Sequence, residues 1–165
     1  MTGEVYSINV SRAKGTKKEP VESVSMHPDR GIDGDAHSGP WHRQVSLLAW
    51  ERIQEACPPG VTPAPGIYAE NITTCGLDLV VLRIGDRLAI DDTVLEVTQI
   101  GKECHTACEI RKLSGTCIMP KEGIFAKCIS GGTVRKGSRI EITAEDDSDQ
   151  QPGPNDQTGD RCHGA

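Results

Sequence analysis

Cys104, His105, Cys108 and Cys117 occupy fourteen consecutive residues of the stretch GKECHTACEIRKLSGTC. Three soft thiols and an imidazole at that density suit sulfur chemistry or metal ligation. As metal ligands, Cys104, Cys108 and Cys117, completed by His105 or an external group, suit zinc or an iron-sulfur centre. Their spacing of three and then eight intervening residues matches no common cassette. As a nucleophile or persulfide carrier, Cys104 is favoured. Lys102 precedes it, His105 follows it, and a helix starting near His105 would stabilise a thiolate at its N-terminus. In the packing reading, Cys108 faces the core from that helix and Cys117 fills a strand, since free cysteine often serves as a small buried hydrophobe. Cys57, Cys75 and Cys128 sit in ordinary apolar patterns and are expected to be packing residues.

Two further constellations have residue types suited to a ligand. The stretch GIDGDAHSG, residues 31–39, has three glycines and two acids with no hydrophobic residue larger than alanine after Ile32. Glycine permits positive φ and close backbone approach, while Asp33, Gly34, Asp35 and His37 could bind a cation or accept hydrogen bonds from a heterocycle. The alternative is a plain turn. In PGIYAENIT, residues 65–73, Glu70 and Asn71 are consecutive polar residues in what reads as a strand, so one of them points where an apolar side chain is expected. That position implies a buried hydrogen-bond partner or a pocket wall; an edge strand with both residues solvated is the alternative.

The elements that must position these groups are mostly strands. Tyr6, Ile8 and Val10 alternate with Ser7 and Asn9, and Ile140 and Ile142 alternate with polar neighbours, which predicts strands with one wet face. Two such runs flank Asp91-Asp92 between residues 86 and 100, and Gly131-Gly132 separates IFAKCIS from TVRKGSRIEI, so two hairpins are predicted. Two helices are predicted. In LLAWERIQEAC, Leu47, Trp50, Ile53 and Cys57 recur at helical spacing before Pro58-Pro59, and the second helix runs from about His105 to Leu113. If residue 104 is already helical, Cys104 and Cys108 share a face. With 18 glycines and 10 prolines spread along the chain, the pattern predicts a barrel or sandwich of short strands with a few short helices.

Composition narrows the function classes. The 165 residues fit one ordered domain over 1–143. Residues 144–165, AEDDSDQQPGPNDQTGDRCHGA, hold six of the 24 acids, one of the 18 Lys and Arg, and no large aliphatic residue; such a tail is expected to be disordered. The formal net charge of −6 therefore resides mainly in the tail. A nearly neutral domain argues against a nucleic-acid surface, which needs a basic face. No apolar stretch approaches a membrane span, and the N-terminus lacks the pattern of a secretory signal. A cytoplasmic location is expected, with the seven cysteines as thiols, metal ligands or transient redox partners.

Taken in order, GIDGDAHSGPWHRQVSLL, PGIYAENITTCGLDLVVLRIGDRLAI, LEVTQIGKEC and EGIFAKCISGGTVRKGSRIEI resemble the MOSC family, named for the C-terminal domain of molybdenum-cofactor sulfurase. The match spans about residues 3–143. The resemblance implies a mostly β, barrel-like fold, a link to the molybdenum cofactor, and a cysteine after the LEVTQ strand, here Cys104, that carries sulfur or ligates molybdenum. An implied pocket would take Cys104 as its sulfur and Asp33, Gly34, Asp35, His37, Glu70 and Asn71 as walls. The cations for the pterin's phosphate would come from Arg43, Lys102, Lys121 and Arg135. The family commonly has Arg and Pro ahead of that cysteine, whereas this chain has Gly101, Lys102 and Glu103. No pyridoxal-phosphate lysine motif is present, so sulfur would come from a separate donor such as a cysteine desulfurase, or from other cofactor-assembly proteins. The expected role is a stand-alone module that binds molybdopterin or acts as a sulfur transferase. The alternatives are a molybdenum-dependent oxidoreductase acting on N-hydroxylated compounds, and a non-enzymatic zinc or iron-sulfur interaction domain.

Overall fold

The computed structural model describes residues 1–104, 109–115 and 117–143, with backbone alone at 109, 113 and 114. His105, Cys108 and the expected disordered tail lie outside the described residues. The architecture is a closed seven-stranded β-barrel with three short helices. Along the chain the elements are β1 (Thr2–Val10), β2 (Glu19–Val21), β3 (Ser23–His27), β4 (Gly31–Ile32), β5 (Val45–Ala49), α1 (Trp50–Ala56) and β6 (Ile72–Cys75). They continue with β7 (Arg87–Ile90), β8 (Thr93–Ile100), α2 (Glu109–Ser114), α3 (Met119–Glu122), β9 (Ile124–Ser130), β10 (Gly132–Arg135) and β11 (Arg139–Thr143).

Around the barrel the order is β1, β11, β7, β8, β9, β5, β6 and back to β1. Every pairing is antiparallel except β5 with β6. Strand β2 extends β1, and a small sheet of β10, β3 and β4 sends Val24, Met26, Ile32 and Val134 into the barrel core. That core includes Val5, Ile8, Leu47, Leu88, Leu95 and Ile140. A second apolar cluster of Leu48, Ile53, Tyr68, Ile110, Met119 and Phe125 lies where the helices pack over β5 and β9.

The Asp91-Asp92 hairpin forms between β7 and β8, with Asp91 at φ 51. Other expectations are corrected. The first helix begins at Trp50, because residues 45–49 are a strand buried along its whole length: Leu47 faces the barrel and Leu48 the outer cluster. A strand apolar on both faces shows no alternation and can be mistaken for a helix start. The Gly131-Gly132 hairpin is also absent: β10 pairs with β3, while β11 closes the barrel on β1 and β7. A Cβ at Gly131 would lie 2.5 Å from the Met26 carbonyl oxygen, so this glycine admits the β3 backbone. Nor is the polar side of β1 wet. Ser7 and Asn9 are buried in a hydrogen-bonded layer beneath residues 66–74. No helix of the described residues is long and apolar enough to cross a membrane.

Candidate functional site

The chain leaving β1 and the loop following β4 are joined by a buried ion pair. The Lys18 ammonium lies 2.7 Å from Asp35 Oδ1, with both side chains sealed from solvent. Lys18 also donates to Ser11 Oγ at 3.0 Å and approaches His37 Nδ1 at 3.1 Å. Asp35 accepts the Ser11 N–H on Oδ1 at 3.1 Å and the His37 N–H on Oδ2 at 2.9 Å. Ala36 N–H donates to the Ser11 carbonyl at 2.8 Å. Burial alone would push the Asp35 carboxyl up, but hydrogen bonds from His37 and Lys18, with the ammonium charge, hold it well below the usual carboxylate range. Burial draws the Lys18 ammonium below its ordinary value against the opposing pull of Asp35.

Beyond His37 the loop builds an aromatic shelf. Trp41 donates its indole N–H to the His37 carbonyl at 2.7 Å, and its ring stacks on the imidazole at 6.1 Å between centroids. Two cations approach the indole: Lys14 Nζ at 4.6 Å from the ring centroid and the Arg43 guanidinium carbon at 4.9 Å. The guanidinium is also 5.7 Å from the Phe125 ring. These are cation–π distances. Arg43 Nε is buried with no hydrogen-bond partner among the described residues. Gly34 has φ +80. With Asp33, Asp35, His27, Arg30 and Ser38 it lines a cleft of about 480 Å³ on the outer side of the loop.

The cysteine segment starts from the same rim. His42 Nε2 is 2.8 Å from Gln99 Oε1, and Gln99 Nε2 donates to the Gly101 carbonyl at 2.8 Å. Thr98 Oγ1 donates to the His42 carbonyl. Gly101 and Lys102 then run against α3, their N–H groups donating to the carbonyls of Gly123 and Pro120 at 2.7 and 3.1 Å. Lys102 is half-buried and Cys104 is exposed. Residue 104 is not helical, so the condition for it to share a helical face with Cys108 is not met; Cys108 itself lies outside the described residues. Cys117 packs against the outer cluster near Tyr68. Among the described residues no three His, Cys, Asp or Glu side chains converge as metal ligands.

Glu70 and Asn71 precede β6 and are fully buried. The Glu70 carboxylate accepts from Gly66 N–H at 2.6 Å, Thr73 Oγ1 at 2.8 Å and Tyr68 N–H at 3.2 Å. Burial pushes its pKa up. Asn71 Oδ1 accepts from Ser46 N–H at 3.1 Å, and its Nδ2 donates to the Asn9 carbonyl at 3.2 Å. Of the expected roles, a buried hydrogen-bond partner describes both residues; neither presents surface to a pocket. They underlie the site, since the Gly66 carbonyl held by this turn accepts the Lys18 N–H at 2.9 Å.

The structure thus brings Asp35, His37 and Arg43 together with four residues that sequence reading missed, Ser11, Lys14, Lys18 and Trp41. Lys18 lies in the polar run AKGTKKEP, where nothing marks one lysine as buried. Trp41 was more accessible to reading, as one of only two tryptophans and the sole aromatic residue beside the loop. A larger apolar hollow of about 700 Å³, walled by Leu77, Leu79, Val80, Leu82 and Ile100, takes Lys121 into its lining and none of the other candidate site residues.

The MOSC domain family model matches residues 34–141. No curated protein matches the sequence significantly. Among solved structures, YuaD from Bacillus subtilis superposes with a TM-score of 0.72 at 20% identity, covering 86% of this chain and 96% of its own. YiiM from Geobacillus stearothermophilus gives 0.64 at 19% identity, covering 86% and 75%. YiiM from Escherichia coli gives 0.62 at 18% identity, covering 87% and 70%. These structural likenesses agree in the fold, and the family model, spanning the loop, the buried turn and the cysteine segment, identifies the chain: it belongs to the MOSC domain family.

Proposed function

We propose that this protein is a molybdenum-cofactor-associated module in which Cys104 carries sulfur as a persulfide or meets the metal of a bound molybdopterin. One observation carries the reading: the Cys104 thiol is exposed at the end of a segment tied through Gln99 to His42, the neighbour of Arg43. The donor set suits such a ligand. A soft sulfur is offered by Cys104, and the Arg43 guanidinium, with a buried Nε lacking a partner among the described residues, together with Lys14 and Lys102, would meet a phosphate. Glu70 and Asn71 act in this reading as supports of the Lys18 backbone. When bound, the cofactor would supply a redox-active metal centre and an anionic anchor.

Sulfur transfer would run as thiol–persulfide exchange with a donor such as a cysteine desulfurase. The Cys104 thiolate attacks the outer sulfur of the donor's persulfide, the donor's S–S bond breaks, and the electron pair leaves on the donor thiolate. The new S–S bond is on Cys104, and no external oxidant or reductant is needed. In this reading the protein works with cofactor-assembly proteins in the cytoplasm.

Two measurements test the reading. Protein isolated from cells making molybdopterin should retain pterin and metal that Cys104→Ala loses; equal retention by the variant sinks the contact between cysteine and metal. Incubation with a desulfurase and cysteine should add the mass of one sulfur atom to the wild type and none at this position to Cys104→Ala.

A further inference from the structure

The Lys18 ammonium is sealed from solvent and has an acceptor for each of its protons: Asp35 Oδ1 at 2.7 Å, Ser11 Oγ at 3.0 Å and His37 Nδ1 at 3.1 Å. An ammonium has three donors and no lone pair, so a ring nitrogen this close to it must accept. The surrounding bonds run in consistent directions. Ser11 Oγ, accepting from Lys18, donates onward to the Ala13 carbonyl at 3.0 Å. Asp35 uses Oδ1 for Lys18 and the Ser11 N–H, and Oδ2 for the His37 N–H; the His37 Nδ1 also faces Oδ2, but at 3.6 Å, beyond hydrogen-bond distance and farther than its 3.1 Å to the ammonium. With Nδ1 occupied as an acceptor, the proton of a neutral His37 sits on Nε2. The His37 side chain is 23% exposed while Lys18 and Asp35 are 0% exposed, so solvent reaches the ring from the side away from the ammonium.

We infer that Lys18 is a positioning residue that fixes His37 as the Nε2–H tautomer, so that His37 donates a hydrogen bond to an oxyanion of the ligand and is barred from binding a cation. A metal on Nε2 needs its lone pair there, which moves the proton to Nδ1 and sets it against the ammonium, leaving a buried donor without an acceptor. Asp35 is barred likewise, since both its oxygens are engaged inside the fold. Asp35 and His37, which help give this loop the look of a cation site, are thereby turned to the opposite use, while Asp33 lies exposed beside His27. The surroundings point the same way: Trp41, stacked on His37, is flanked by Lys14 and Arg43, and Arg43 Nε has no partner among the described residues. The inference deepens the proposed function and rests on it for the ligand's identity, an anionic pterin; the tautomer itself stands on the geometry.

The test is long-range proton–nitrogen correlation NMR of the imidazoles in 15N-labelled wild-type protein at mildly alkaline pH, with His37→Gln assigning the ring. The expected result is an unprotonated Nδ1 and a protonated Nε2, with ring signals that shift on addition of inorganic phosphate and stay unmoved by Zn²⁺. In Lys18→Met the same ring should lose its fixed tautomer and become a mixture. A wild-type proton on Nδ1, a mixed tautomer, ring signals indifferent to phosphate, or their displacement by Zn²⁺ would overturn the inference. The decisive measurement uses the wild type, so a Lys18→Met variant that fails to fold does not remove it. Absence of bound pterin from the loaded protein would sink the proposed function and leave the ring measurement intact.

Discussion

Asp35 shows how a residue can stand out in a sequence while its partner stays hidden. Its loop stands out in the sequence by composition, but the lysine it binds is seventeen positions earlier in a run that looks solvated. Replacing Asp35 by Asn leaves the Lys18 ammonium buried without its counter-charge, and breaking such a pair typically costs about 3–5 kcal/mol. The pH dependence has a definite sign. The Asp35 pKa is lowered on folding, so its contribution is present above the unfolded value of about 3.9 and is lost as pH falls through the folded value. Urea unfolding at a series of pH values should therefore show Asp35→Asn well below wild type at neutrality. The gap should narrow below about pH 4, as the unfolded carboxylate begins to take up protons; a gap constant with pH would show that the ion pair does not carry this stability. Glu70 and Asn71 illustrate the converse. Their polarity was legible, but whether such residues face a ligand or the protein depends on what lies opposite, and Asn9 and Ser46 come from distant parts of the chain.

The turn over residues 65–71 links the buried polar layer to the site above it. Gly66 has φ +84, donates to Glu70 and accepts from Lys18, and a Cβ there would sit 2.1 Å from the Lys18 carbonyl oxygen. Gly66→Ala combines left-handed backbone strain with a backbone clash, so a loss of roughly 2–5 kcal/mol is expected. Gly60 is a control: its φ is +88, but no atom lies within 4 Å of the added Cβ, so Gly60→Ala should cost only about 1–2 kcal/mol. Thermal melts of the two variants check the ranking, and equal losses would show that the contact with Lys18 is slack. Elements with one apolar face and a polar turn, such as the β7–β8 hairpin, were legible from local pattern. Strand β5 was not, because it is apolar on both faces, and neither was β10, because its partner is set by the approach of the β3 backbone to Gly131 and not by the glycine pair beside it.

At the scale of the molecule, a mostly β barrel was legible from short strands and dispersed turn residues, whereas its closure was not, since no local signal tells a C-terminal strand which edges it will meet. Strand β11 pairs with β1 through Thr2↔Glu141, Gly3↔Ile140 and Glu4↔Arg139, and with β7 through Ile140↔Ile90 to Thr143↔Arg87. It thus covers two edges at once and places Ile140, fully buried, in the core. A chain ending at Ser138 would expose the backbone groups of β1 and β7 as open edges and uncover the core beneath Ile140, a combination that favours aggregation. A chain ending at Thr143 keeps every pairing of the barrel and removes only the acidic segment. The expected outcome is a cooperative melt for the chain ending at Thr143, with a midpoint close to the full-length value, and no cooperative melt for the chain ending at Ser138. If the longer truncation melted like the full chain, β11 would be an accessory strand and the barrel would owe its stability to the other six. The same pair separates fold from chemistry: Cys104 and the Lys18–Asp35–His37 network lie wholly within residues 1–143, so the chain ending at Thr143 should also keep whatever pterin and sulfur the full-length protein takes up.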